Sequence, residues 1–398
     1  MPRRRPTYSN SLWSRMIDIG IVGRFKTDSN LYFSQTLWPL LRWRSMLRDA
    51  GIRLRFSSQV NGDIRDCRYV FMFDTVTDPI DIPPEEEKQF TTLRNSGCAV
   101  IYFDNADSCG TTSFQVMPFV HLYVRRQIYR DMMQYLRVFT GLRSYTQYYH
   151  DRFGVQERFE ERRLALRAAD IKKIMVGWNS GMGNYALTNR LLRRFNYENC
   201  ARAFIFPFFF SSDIRDLIIP SRPLPWASRR YDIHYRAVTR FTVDTITFGR
   251  EKVNELLEEF SAESMYALCF KGTVSRRAYH EEMRRAKIVI SPFGYGEICH
   301  RDFEGFLNGC CVVKPSMAHL ETWPDYYRPM ETYIDYAWDF SDFKERIAEA
   351  LSSNKAQEIA AYGHELFNKF ISPAGGAQFC GRFMHILKSA ETMQRHES

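Results

Sequence analysis

Residues 287–316, KIVISPFGYGEICHRDFEGFLNGCCVVKPS, restrict the fold more than any other part of the chain. Lys287-Ile288-Val289-Ile290 is a β-branched run, and Pro292 lacks the amide donor that a central strand needs. Gly294 and Gly296 let the backbone turn tightly and approach a ligand closely. A helix beginning near Ile298 stops at Gly309, and Cys310-Cys311-Val312-Val313 resumes as strand. Strand, glycine-bearing loop, helix and strand form a βαβ unit. A helix N-terminus behind such a loop is a place where anions, phosphates above all, tend to sit.

The same alternation recurs along the chain. Strands are expected at 17–23, 52–56, 69–73 (ending at Asp74) and 98–103, with a polar loop at 24–30. The spacing of Leu37, Leu40, Leu41 and Leu47 predicts one helix over 32–50, stopped by Gly51. Pro83-Pro84-Glu85-Glu86-Glu87 opens another helix, with proline and acids where the helix dipole favours them. Residues 114–140, rich in Arg and Tyr, are expected as a long helix. From 141 to 225 the pattern loosens into a turn-rich connector, with GWNSGMGNY and the prolines 220, 223 and 225. A second alternation follows: strands at 231–235 and 265–270, helices at 249–260, 279–286 and 341–351. The expected fold is therefore α/β, two Rossmann-like domains facing across a cleft, with a C-terminal helix crossing back. The divisions fall at 1–225, 226–354 and 355–398, the last a helical tail packing across both domains.

Composition narrows the partners. A net charge of +9 over 398 residues favours anionic ligands without choosing among them. Nine scattered cysteines without a C-x-x-C argue for a reducing compartment and against a zinc ribbon. No 18-residue apolar run exists, and the nearest, AFIFPFFF at 203–210, is broken by Pro207. A cytoplasmic location is expected, with Arg3-Arg4-Arg5 available for peripheral contact with an anionic membrane. The basic residues are dispersed and no nucleic-acid module is present, so a nucleic-acid partner is not expected. HRDFEGFLN has one residue too many for a kinase catalytic loop, and no D-F-G follows.

Candidate site residues cluster where strands end. In the helix after the glycine loop, Arg301, Glu304 and Asn308 share a polar stripe. A carboxylate there can accept both hydroxyls of a ribose, and an arginine can fork onto a phosphate. Arg236, Arg240 and Lys271 follow strands in the same half, and Lys314, His319 and Thr322 follow the next one. In the first half, Asp104 and Asp107 stand at a strand end and could act as a catalytic base, as could His121. The Asp104–Asp107 spacing does not match a D-x-D metal motif, so no metal is expected.

The run from Gly272 through SPFGYGEICHRDFEGFLNGCCVVKP resembles the donor-binding half of GT-B glycosyltransferases, in particular exostosin-like and family-4-like members. Their pattern R-x-x-E-A-x-x-x-G-C-x-P-V-I aligns with Arg301, Glu304, Gly305, Gly309, Cys310 and Val312-Val313. The resemblance covers about 230–350. It implies transfer of a sugar from a nucleotide-diphosphate sugar to a glycan, lipid-linked or other hydroxyl acceptor, without a bound cofactor or metal. It also implies that Glu304 holds the donor ribose and that Phe293, Gly294, Tyr295 and Gly296 face its diphosphate or sugar. Arg236 or Arg250 with Lys271 would supply the cations. Glu297 and Glu304 have six residues between them where retaining members often have seven, and Val312 stands where the family's proline is expected. An epimerase of nucleotide sugars, or a non-catalytic sugar- or partner-binding relative, shares the same scaffold.

Overall fold

The computed structural model describes residues 16–23, 31–73, 76, 78–159, 161–183, 185 and 222–397. The expected loop at 24–30, Asp74, the run at 203–210, Pro220 and the N-terminal arginines lie outside them. The first half contains β1 (Ile17–Gly23), α1 (Leu31–Arg42), α2 (Arg44–Asp49), β2 (Ile52–Ser57), α3 (Gly62–Arg65), β3 (Tyr69–Phe73), α4 (Pro84–Asn95) and β4 (Ala99–Asp104). It continues through β5 (Leu122–Arg125), β6 (Gln127–Tyr129), α5 (Ser144–Phe153) and β7 (Ile174–Val176). Six of these strands form one parallel sheet in the order β2-β1-β3-β4-β5-β7. Every residue of β3 (YVFMF) and β4 (AVIYFD) is buried, the near-continuous apolar pattern of strands covered on both faces.

The second half contains β8 (Tyr231–Tyr235), α6 (Asp244–Glu263), β9 (Leu268–Phe270), α7 (Arg276–Arg284), β10 (Ala286–Ile290), α8 (His300–Leu307) and β11 (Cys311–Pro315). After these come β12 (Leu320–Thr322), β13 (Tyr333–Tyr336), α9 (Phe343–Ser352), α10 (Lys355–Ile371) and α11 (Pro373–Glu397). Its sheet is also parallel, in the order β13-β11-β10-β8-β9. The segment 287–316 folds as expected. Asn308 closes α8, and Gly309 takes a left-handed φ of 62° that a glycine reaches without strain. Two parallel α/β sheets are thus present, as the alternation of the sequence anticipates.

The last two helices tie the halves together. α10 packs on α8 and β11, whereas α11 crosses to the first sheet. There Phe383 stacks on Phe71 at 5.2 Å between centroids, and Phe379 meets Trp178 edge-on at 5.2 Å. Both phenylalanines are fully buried, each contributing about 1.5–3 kcal/mol by leaving water. Polar contacts fix the helix lengthwise, Glu391 with Arg68 at 2.6 Å and Glu397 with Lys173 at 2.7 Å.

Two expectations require correction. The helix expected over 32–50 is divided at Trp43, whose backbone leaves helical geometry between α1 and α2. The long helix expected over 114–140 does not form. Phe114–Phe119 is a 3-10 turn containing Pro118, followed by β5 and β6. Arg125 and Arg126, two of the arginines of that stretch, are almost completely buried. Arg125 donates to the carbonyls of Ser108 and Thr111 at 2.8 Å and to that of Cys109. β6 then leaves the first sheet and pairs antiparallel with β12 of the second half.

Candidate functional site

The carboxyl ends of β8, β9 and β10 gather the polar groups of the second half. Arg236 immediately follows β8, and its Nε and Nη2 lie 3.0 and 3.1 Å from the Glu282 carboxylate of α7. Its Nη1 donates to the Phe270 carbonyl at 3.1 Å and to the Lys271 carbonyl. Arg236 therefore ties the ends of β8 and β9 to α7. Its own carbonyl accepts Nη2 of Arg301, on the first turn of α8, at 2.9 Å. The Arg301 guanidinium lies 5.8 Å from the centre of the Tyr235 ring. Its Nε and Nη1 are buried and make no hydrogen bond. One helical turn onward, Glu304 is half-buried and accepts from the Tyr279 hydroxyl at 3.0 Å. Burial and the nearby Glu304 push the Tyr279 phenol up, which keeps it a donor.

Beneath this cluster, His234 is fully buried with neither ring nitrogen hydrogen-bonded. Burial first, then the charge of Arg301, brings its pKa down to about 3, so the imidazole is neutral. Arg236, Arg301 and Glu304 are thus brought into one connected group. Tyr279, Glu282 and His234 belong to it as well. Tyr279 and Glu282 carry a readable signal, three residues apart on the helix after β9, whereas His234 looks like any strand residue.

Although its carbonyl accepts from Arg236, Lys271 does not bring its side chain into the group. Its backbone has a left-handed φ of 62°, and its side chain turns to Glu258 of α6. Arg250 is nine-tenths buried and spends its guanidinium on the Phe293 and Val238 carbonyls at 2.9 and 2.8 Å.

The glycine loop is packed against the first half. The Phe293 carbonyl accepts from Arg250, that of Gly294 from the Tyr145 hydroxyl at 2.6 Å, and that of Tyr295 from Arg143 at 2.6 Å. Tyr295 is the exposed member, with its hydroxyl 2.9 Å from that of Thr242. Gly296 touches the first half so closely that a Cβ would collide with the Asp107 carbonyl. Here the glycine is required by contact with protein.

Glu297 is fully buried at the same seam. It accepts from Ser108 Oγ at 2.8 Å, from Gln127 Nε2 at 2.7 Å and from the Cys109 amide at 3.3 Å. Burial raises its pKa in spite of those donors. Lys314 is equally buried, 2.6 Å from Asp302 and 2.7 Å from the Glu297 carbonyl. Asp302 also accepts from Ser291 and Tyr327 at 2.5 and 2.8 Å. In this arrangement Glu297 and Lys314 have their hydrogen bonds met by protein.

In the first half, Asp104 ends β4 fully buried, paired with Arg125 at 3.1 Å and bonded by the Tyr123 hydroxyl. Asp107 is the more open carboxylate, with about a third of its side chain exposed and Arg126 at 3.3 Å. His121 stands at the amino end of β5, the edge away from these carboxylates. Its Nδ1 accepts the Val100 amide at 2.9 Å, and burial, aided by Arg94, pushes its pKa down to about 4. The geometry makes it a structural link to α11, with Nε2 3.9 Å from Glu397.

No group of three or more His, Cys, Asp or Glu positioned to hold a metal occurs among the described residues. No helix among them is long and apolar enough to cross a membrane. No family model and no curated protein matches the chain. Among solved structures, it is similar to a glycosyltransferase from Rickettsia africae ESF-5, with 8% identity and a TM-score of 0.41 over 95% of this chain and 99% of that one. An alpha-glucosyltransferase in complex with UDP and a 13-mer DNA matches with 9% identity and a TM-score of 0.42, covering 94% of this chain and 100% of the other. Sucrose-phosphate synthase from Thermosynechococcus elongatus matches with 10% identity and a TM-score of 0.41, over 94% and 100%.

Proposed function

We propose that the protein is a glycosyltransferase that takes its sugar from a nucleotide-diphosphate sugar and passes it to a hydroxyl acceptor. The observation that carries this reading is the pairing on α8 of a guanidinium with two unbonded nitrogens, Arg301, and a half-buried carboxylate one turn later, Glu304. A guanidinium with unfilled donors suits a diphosphate, and a carboxylate suits a vicinal diol. Both stand at the carboxyl ends of a parallel sheet, where ligands of α/β proteins bind. The chain's own part in the reaction is to hold the leaving diphosphate and offset its charge while the acceptor oxygen attacks.

Arg236 acts through its carbonyl, which orients Arg301, and Tyr279 orients Glu304. Asp107 is the carboxylate in the first half with room to take a proton from the acceptor, whereas Asp104 serves to hold Arg125. The division of labour we favour gives the donor to 226–354, the acceptor to 1–225, and the linkage of the two to 355–398. The positive charge suits a lipid-linked acceptor presented at an anionic cytoplasmic surface as well as a free glycan.

Calorimetry with UDP, GDP, ADP and their sugars tests the donor site. Glu304→Ala and Arg301→Ala are each expected to weaken binding at least tenfold while the unfolding midpoint shifts little. Equal affinity in both variants and the parent would remove the assignment. Conversion of the donor sugar without any acceptor would replace it with an epimerase.

A further inference from the structure

A cavity lies beside Phe293, at the carboxyl ends of β11 and β13. It has a volume of about 530 Å³ and draws its walls from both halves, among them Tyr129, Gln134, Gln147, Tyr148, His319 and Trp338. None of the residues of the Arg301–Glu304 cluster lines it. Its size is that of an ordinary small-ligand site.

Three observations specify the chemistry it would accept. First, both ring nitrogens of His319 are buried and neither makes a hydrogen bond. Burial, with a smaller effect of Lys314, pushes this imidazole down to about 3, so at neutral pH it presents one donor and one acceptor. An unpaired buried polar atom costs about 1–3 kcal/mol, which a ligand able to both donate and accept would recover. Second, the charged residues of the lining cancel, Arg130 and Arg137 against Asp131 and Asp151. Several are already committed to neighbours: Gln134 bonds Asp131 at 2.7 Å and Arg137 at 2.6 Å, and Gln147 bonds Asp151 at 2.8 Å. That wall favours neither anions nor cations. Third, aromatic rings meet at the cavity in a fixed arrangement. Trp338 stands edge-on to His319 at 4.8 Å and to Tyr148 at 5.6 Å, and its indole N–H is held by the Ser316 carbonyl at 2.9 Å.

A hydroxyl both donates and accepts, and a pyranose carries hydroxyls around a ring whose C–H face packs on an aromatic surface. We propose that this groove is a carbohydrate-binding site, in which an uncharged pyranose unit lies against Trp338 and exchanges hydrogen bonds with His319. The inference rests on the groove alone and does not depend on the donor reading.

The test is an array of neutral and uronic-acid-containing oligosaccharides, followed by calorimetry with the strongest neutral binder, in the absence of any nucleotide. His319→Phe keeps a ring but removes both unpaired nitrogens. It is expected to weaken binding at least tenfold while leaving the melting temperature unchanged or higher. His319→Gln, which restores one donor and one acceptor, is expected to stay within about threefold of the parent. Trp338→Ala should lose binding to a similar degree as His319→Phe, and Glu304→Ala should retain it. The proposal is overturned if no neutral glycan is retained. It is equally overturned if only acidic glycans bind and salt removes them, or if binding survives both His319→Phe and Trp338→Ala.

Discussion

Several charged side chains of the 287–316 segment resemble site residues in the sequence and are spent on architecture. Lys314 and Asp302 are fully buried and 2.6 Å apart, with Ser291, Tyr327 and the Cys299 amide bonding the same carboxylate. Removing one partner strands the other charge away from water. Lys314→Met is therefore expected to cost about 3–5 kcal/mol, measured by urea unfolding. Adding Asp302→Leu should recover only part of that, because Ser291 and Tyr327 then lose their acceptor. A loss below 1 kcal/mol in the single variant would mean that the pair is solvated in solution. Sequence alone does not separate Lys314 from Arg301, since both are cations near the glycine loop. The separation comes from their neighbours: Lys314 is held by Asp302 and the Glu297 carbonyl, whereas Arg301 reaches back to the Arg236 carbonyl at the end of β8. Glu304 stands out in the sequence as a candidate on the polar stripe it shares with Arg301 and Asn308, whereas Glu297 is ambiguous until its partners Ser108 and Gln127 come from some 170–190 residues away in the chain.

At the level of elements, the alternating pattern was legible because parallel strands leave runs such as YVFMF and KIVI that few other structures accommodate. The segment 114–140 was not, because its arginines satisfy carbonyls of a distant loop and no local periodicity records that. α11 is the element with the largest expected effect. Its Phe379, Phe383, Ile386 and Leu387 are buried in the core that includes Phe71 and Trp178. A chain ending after Ser372 should expose that face of the first sheet. Hydrogen exchange in β3 and β4 is expected to accelerate by at least tenfold, with self-association at micromolar concentration. Unchanged protection there would show that the sheet is stable without its cover.

For the whole molecule, three histidines with buried rings set the response to acid: His121, His234 and the half-buried His319. His121 is lowered to about 4, and His234 and His319 to about 3, in each case chiefly by burial. The unfolded chain takes up these protons near the ordinary histidine value, about 6.5, while the fold refuses them. The fold then binds fewer protons than the unfolded chain, so stability present above pH 6.5 is lost as pH falls toward 4 and 3. Each histidine contributes up to about 1.4 kcal/mol per pH unit in its window. Glu297 acts in the opposite sense, its raised pKa favouring the fold as pH falls toward 4.5. Melting temperatures are expected to fall from pH 7 to pH 5, with a shallower slope in His319→Phe. A flat profile would indicate that the histidines reach water.

The contact between Gly296 and the Asp107 carbonyl leaves no room for even one methyl group. Position 296 consequently acts as a spacer of zero thickness between the two sheets. Alanine, serine and valine inserted there form a graded set of shims, each forcing the seam wider than the last. The Arg301–Glu304 edge lies within the second half, whereas the His319 groove has a wall on either side of the seam. A shim at 296 would thus detune the groove and leave the edge in register, turning one missing side chain into a dial for the fit between the halves.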